Sequence, residues 1–177
     1  KVILDAPFYD GNFFPFFPDM HGAPFNPAES VTHLTEWVVD MASNGEDFAA
    51  INRLSETFSE FPRIDDRFTG RKNRYTWGLE VDFRRPIEQV GGSAGGAPMN
   101  CLFLKDIETG AESHWWAGPT STLQEPCFIP RGPQAPEGDG WIVQVCNRLA
   151  EHRSDLLVFD ALDIEKGPVA TVNVPIR

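Results

Sequence analysis

Apolar and polar positions alternate in short runs along most of the chain, and each run stops at a cluster of Gly, Pro, Asp, Asn or Ser. Alternation with period two is the signature of strands rather than helices. From residue 99 onward one short strand pattern follows another. "MNCLFLKDI" turns at "ETG" into "ESHWWAG", and "EPCFIPR" precedes a polar Pro/Gly stretch; "GWIVQVCNRL", "DLLVFDAL" and "PVATVNVPI" then follow, divided by "AEHRSD" and "DIEKG". These read as meander hairpins. Earlier, "VTHLTEWVVDM" (31–41) and "NRYTWGLEVDF" (73–83) read as strands because β-branched and aromatic residues dominate them. In "GEDFAAINRLSETF" (45–58), Phe48, Ile51 and Leu54 are spaced as on a helix face, yet extended or irregular structure is the expectation.

The fold class expected is all-β. Successive four-strand meanders of about 40 to 50 residues correspond to the blades of a β-propeller, and the chain has room for about three to four of them. It stops at "ATVNVPIR", inside a strand pattern, and begins without an initiator Met. A propeller needs closure to hide its sheet edges. Residues 1–177 are therefore expected to be a single partial domain, the C-terminal section of a longer protein cut at both ends.

Composition narrows the partners. Asp and Glu outnumber Lys and Arg by 26 to 15, a net charge of −11, which repels a phosphate backbone and argues against nucleic acid. No run of about 18 apolar residues exists to span a bilayer, and "KVILDAPFYD" has neither section of a signal peptide. Cys101, Cys127 and Cys146 lie far apart with no C-x-x-C pair, so reduced, partly buried thiols in a cytoplasmic protein are expected.

Several short motifs have plain readings. "GGSAG" (91–95) matches the G-x-S-x-G of a hydrolase elbow, but no strand–Ser–helix context surrounds it, so a glycine loop between blades is expected. His33 shares a strand face with Val31, Trp37 and Val39 and reads as a hydrogen-bonded core histidine. His152 sits in the charged turn "AEHRSD" and reads as solvated, while His114 and His21 stay open between structural and site roles. Phe14 and Phe16 alternate onto one side of "FFPFF" (13–17), as core or as the aromatic wall of a substrate cavity.

Two carboxylates stand out. In "SEFPRID" (59–65), Glu60 shares its face with Pro62 and Ile64; in "LQEPCFIPR" (123–131), Pro126 forces Glu125 to be extended, beside Cys127 and Ile129 in alternation. A carboxylate turned toward apolar neighbours is costly unless its charge is offset. A salt bridge or backbone donors would do so, and so would an imidazole N–H whose other nitrogen binds a metal.

The segments "SEFPRIDDRFTGRKNRYTWGLEVDF", "HWWAGPTSTLQEPCFIPR" and "APEGDGWIVQVCNRLAEHRSDLLVFDALDIEKGPVATVNVPIR" resemble the carotenoid cleavage oxygenase family, in its lignostilbene dioxygenase branch. The elements E-F-P-R-I, E-P-x-F-x-P-R and E-G-D-G-x-x-x-x-x-x-N carry the likeness in combination. The resemblance implies a seven-bladed propeller with Fe(II) on its axis, bound by four histidines that are supported by glutamates. Glu60 and Glu125 match two of those glutamates. The iron histidines themselves belong to an H-x-x-N-A-like motif before this stretch, an F-x-x-H-G-like motif after it, and earlier segments. His21, His33, His114 and His152 are accordingly not expected to be ligands, and no metal ligand or catalytic residue is assigned within the chain.

By the same resemblance, the intact enzyme splits the central C=C bond of a 4-hydroxystilbene with O₂ into two aldehydes. Its partners are then a small aromatic substrate, O₂ and the remainder of its own polypeptide. Two rivals remain: a carotenoid or apocarotenoid substrate, and a metal-free propeller interaction module.

Overall fold

The alternating runs form antiparallel strands; the computed structural model describes residues 1–11, 18–24, 31–88 and 99–175. The glycine loop "GGSAG" and the aromatic pair Phe14 and Phe16 lie outside them. The backbone divides into two compact units, Lys1–Glu60 and Phe61–Arg177.

The first unit is a three-stranded sheet in the order β1 (Val2–Tyr9), β2 (Thr32–Val39), β3 (Ala50–Ser55). β1 has no counterpart among the strands expected above. Pro7 in its middle breaks the strand pattern, and such a residue is tolerated because β1 lies at the sheet edge. The helical spacing of Phe48, Ile51 and Leu54 goes unused, since the segment is extended from Ala50 and leaves Phe48 and Ile51 exposed. One face buries Thr32, Leu34 and Val38; the other sets Phe8 edge-on to Trp37 at 5.7 Å and Trp37 tilted against Phe48 at 6.4 Å. Across the first of these faces runs a polar row in register, Asp5 opposite Glu36 opposite Asn52, with the Asn52 amide donating to Glu36 at 2.7 Å.

The second unit holds two sheets. One runs β4 (Ser59–Arg63), β5 (Tyr75–Glu80), β6 (Cys101–Asp106), β7 (Glu112–Trp116), with the first two residues of β4 closing the first unit. The other centres on β10 (Gly140–Arg148), flanked by β11 (Arg153–Asp160) and then β12 (Ala170–Val174). Its opposite edge is shared by β8 (Ser121–Leu123) and β9 (Cys127–Pro130). β8, only three residues long, also had no expected counterpart.

These two sheets bury their apolar faces in one core. Trp77, Leu79, Leu102 and Leu104 pack with Ile142, Cys146, Leu157 and Phe159. Trp77 is fully buried, lies stacked on Phe128 at 5.0 Å, and donates its indole N–H to the Ala161 carbonyl at 2.8 Å, so the ring's one polar atom is satisfied. The far face of the β10 sheet carries Trp141, Val143, Val145, Leu156, Val158 and Val172, and Ile129 and Val172 on it are largely exposed.

The E-G-D-G element is part of this framework. The Glu137 carboxylate accepts the backbone N–H groups of Arg74 and Tyr75 at 2.7 and 3.1 Å, anchoring the start of β5. Asp139 accepts from Arg131 at 2.8 Å. Gly140 must lack a side chain, because a Cβ there would stand 2.3 Å from the Ile129 carbonyl oxygen. Asn147, which closes the element, donates to Thr122 at 3.3 Å and accepts from Ser154 at 2.9 Å, tying β8, β10 and β11 together.

This packing sets two expected outcomes. Gly140→Ala forces β9 away from β10 and should lower the melting temperature sharply or abolish soluble expression; a melting curve like that of the parent would contradict the close approach. In the first unit, burial and then the Glu36 charge push the Asp5 carboxyl up to about 6. The folded state therefore holds this proton more tightly than the unfolded chain, and stability falls as pH rises from about 4 to 6. Asp5→Asn should remove that fall and raise the melting temperature at pH 7 but not at pH 4.

Candidate functional site

Glu125 lies where the edge of β10 changes partners. Leu123 pairs with Cys146 and Cys127 pairs with Val143, so three residues, Gln124, Glu125 and Pro126, oppose two, Gln144 and Val145. This is a β-bulge, and Pro126, which has no N–H to give, sits inside it. The extra residue switches the strand's parity. Leu123 points into the core before the bulge, whereas Phe128 does so after it, leaving Cys127 and Ile129 on the exposed face.

The bulge is held firmly. The Gln124 N–H donates to the Val145 carbonyl at 2.9 Å, and the buried Gln144 amide donates to the Gln124 carbonyl at 2.7 Å. Glu125 itself is about half exposed, and its Oε2 accepts from Nη2 of Arg63, 62 residues earlier in the chain. A salt bridge, the ordinary answer to the question raised by the sequence, thus partners Glu125 among the described residues.

Glu60 is on β4, half-buried together with Pro62 and Ile64, while Phe61 and Arg63 are exposed, as alternation required. Its neighbours are unusual. Phe61 takes a left-handed conformation with φ 52°, a strained geometry for a bulky residue and the kind that gathers at functional sites. Ser59 is pinned on the other side, since the Thr32 hydroxyl both donates to the Ser59 carbonyl (3.1 Å) and accepts its N–H (2.9 Å).

Past Arg63 the chain is locked again. Buried Asp65 accepts from Arg67 Nε at 2.9 Å, and Arg67 Nη1 reaches the carbonyls of Ala135, Pro133 and Gly132 at 3.0, 3.3 and 3.4 Å. The two motif segments of the second unit, 61–68 and 125–139, are therefore joined by Arg63 and Arg67. Neither arginine was singled out in the sequence, although both stand beside residues that were. The sequence signal available was the need of each inward carboxylate for a cation.

The four histidines are dispersed. Buried His33 contacts Asp10 at 2.7 Å through Nε2, with Glu56 3.3 Å from Nδ1, the hydrogen-bonded core histidine expected. His21 and His152 are exposed, His152 within the turn ahead of β11. His114 meets Glu80, 2.6 Å from Nδ1, and its Nε2 is 3.7 Å from Glu112. Among the described residues no three His, Cys, Asp or Glu side chains converge on a point where a metal could sit. As a ligand set for iron these histidines do not fit. Cys101 and Cys146 are buried, Cys127 is exposed, and all three are free thiols.

Glu80 is almost fully buried, and its carboxylate meets the His114 imidazole. The hydrogen bond from the imidazole to Glu80 raises the pKa of His114 above its ordinary 6.5, with burial opposing and the charges of Glu80 and Glu112 adding. A raised histidine pKa contributes stability that is complete below 6.5 and is lost as pH climbs through the folded value. The His114 ring resonances should titrate above 6.5 by NMR, and Glu80→Gln should lower that midpoint.

The family model described as retinal pigment epithelial membrane protein matches residues 1–177. The chain is 45% identical over 177 residues to lignostilbene-alpha,beta-dioxygenase isozyme III of Sphingomonas paucimobilis, covering 100% of this chain and 36% of that protein. It is 38% identical over 178 residues to isoeugenol monooxygenase of Pseudomonas nitroreducens, again covering 100% of this chain and 36% of the relative. The crystal structure of Pseudomonas brassicacearum lignostilbene dioxygenase superimposes with a TM-score of 0.89 at 35% identity, over 99% of this chain and 36% of that one. The chain thus spans about a third of the length of these relatives and is all-β, a section of their propeller. With the family model matching all of residues 1–177 and a relative 45% identical along the same length, the chain belongs to the retinal pigment epithelial membrane protein family, the carotenoid cleavage oxygenases.

Proposed function

We propose that the full-length protein containing these 177 residues is a non-haem Fe(II) dioxygenase that cleaves the central C=C bond of lignostilbene-type 4-hydroxystilbenes. The observation that carries this reading is identity along the whole chain to a lignostilbene dioxygenase, joined to a bulge that holds Glu125 in a fixed place. Each alkene carbon takes one oxygen atom of O₂, giving two aldehydes with no external reductant. Bound iron supplies the activation of O₂. Residues 1–177 form part of one propeller domain, and the iron histidines come from the rest of the polypeptide.

In this reading the chain's own contribution is electrostatic and orienting. Glu60 and Glu125 each accept the N–H of an imidazole on the rest of the protein, fixing its tautomer and raising its basicity. Four neutral imidazoles leave a divalent cation uncompensated, and carboxylates one step further out balance part of that charge. Three free thiols suit a reducing compartment and support a cytoplasmic location. No helix among the described residues is long and apolar enough to cross a membrane.

The similarity to isoeugenol monooxygenase supports a second substrate reading, a phenylpropanoid with a shorter side chain. Product analysis of the purified full-length protein with a 4-hydroxystilbene and with isoeugenol separates the two. Glu60→Gln and Glu125→Gln should each lower Fe(II) affinity or turnover on the order of 10- to 100-fold, the usual size for partners of ligating histidines. Unchanged iron content and unchanged rate in both variants would overturn the assignment.

A further inference from the structure

Resting on that reading of Glu125, we infer that Arg63 is a positioning residue that orients the Glu125 carboxylate. The pair joins two parts of the second unit that are far apart in sequence, and both ends are anchored. On one side, Arg63 precedes the buried Asp65 and the Arg67 fork, whose donors reach three carbonyls of the 132–135 loop. On the other, Glu125 stands in a bulge whose backbone is held by the Val145 carbonyl and the Gln144 amide. The backbone on both sides is thus held, and the freedom given up when the pair forms is that of the two side chains.

Geometry also divides the labour of the carboxylate. Arg63 Nη2 holds Oε2, and Oε1 has no hydrogen-bond partner among the described residues. One oxygen is thereby held by the guanidinium while the other is left to accept an imidazole N–H. A carboxylate without Arg63 could rotate about its last side-chain bonds and present either oxygen. Both side chains are about half exposed, so the pair contributes little to folding stability. Its effect is expected in the orientation of Glu125 rather than in the melting temperature.

The test is an Fe(II) titration of the apo form of the full-length protein, comparing the parent with Arg63→Gln, Arg63→Lys, Glu125→Gln and the Arg63→Gln/Glu125→Gln double variant. Arg63→Gln should weaken Fe(II) binding about tenfold, the low end for groups that orient metal ligands, with an unchanged melting temperature. Arg63→Lys, which keeps the charge, should fall between it and the parent. The double variant should bind no more weakly than Glu125→Gln alone, because Arg63 acts through that carboxylate. If Glu125→Gln weakens binding while Arg63→Gln leaves it unchanged or tighter, the reading of Glu125 stands and the role of Arg63 is overturned. That role is likewise overturned if the two losses add in the double variant, or if lysine is as weak as glutamine. If Glu125→Gln itself has no effect, the reading of Glu125 falls and this inference falls with it.

Discussion

The one-residue bulge at Gln124–Pro126 is the constraint on which the candidate site depends. A strand has a period of two, so without an extra residue Leu123 and Cys127 would point to the same side. Leu123 belongs to the core, and a regular strand would then carry Cys127 and Ile129 inward and turn Phe128 out. The bulge reverses this. Phe128 enters the core and stacks on Trp77, whose indole is already tied to Ala161, while Cys127 and Ile129 beyond the bulge stay on the open face. Pro126 is compatible with the arrangement because a residue without an N–H is tolerated where the ladder is broken.

That constraint explains how the E-P-x-F-x-P-R element functions as a unit. Its first Pro accommodates the break, its Phe supplies the anchor against the core, and its Glu is left at the break itself. Phe128, partly buried and stacked on Trp77, packs against the core and holds the strand more firmly than the half-exposed ion pair beside it can. Packing thus fixes the backbone that bears Glu125, and the weaker polar contacts need only choose the direction of its side chain. On β4, too, Glu60 stands between fixed neighbours, Ser59 pinned by the Thr32 hydroxyl and Phe61 held at positive φ.

Much of the fold could be read from alternation, and the exceptions have physical causes. The strands at 32–39, 75–80, 101–106, 112–116, 140–148 and 170–174 all fall within the expected runs, and the strand at 153–160 begins two residues ahead of its run, inside the segment read as a turn. β1 was hidden by Asp5 and Pro7, residues that disfavour a central strand but are admissible at an edge. β8 was hidden by its brevity. The glutamates of the candidate site were legible because a carboxylate alternating with apolar residues is conspicuous. The links that Arg63 and Arg67 make were not, because Glu125 and the 132–135 carbonyls lie more than 60 residues away from them and nothing local to either arginine says what it will meet. The bulge was concealed for a related reason: counting alternation backward from Phe128 and forward from Leu123 places Glu125 on opposite faces, and only pairing with β10 decides between them.

The charge balance of the molecule gives these arginines more weight than their number suggests. With 26 acidic and 15 basic residues, carboxylates outnumber available cations. Most described arginines are committed to a near carboxylate: Arg74 to Asp106, Arg84 to Asp82, Arg131 to Asp139 and Arg148 to Asp155. Those partners lie within about 35 residues in sequence and on neighbouring turns or strands. Arg63 departs from that habit by reaching across 62 residues to Glu125. In a chain with so large an excess of negative charge, a cation placed so far from its partner in sequence does little for local folding. What it does is fix one motif against another, which is the requirement of a carboxylate that must be aimed.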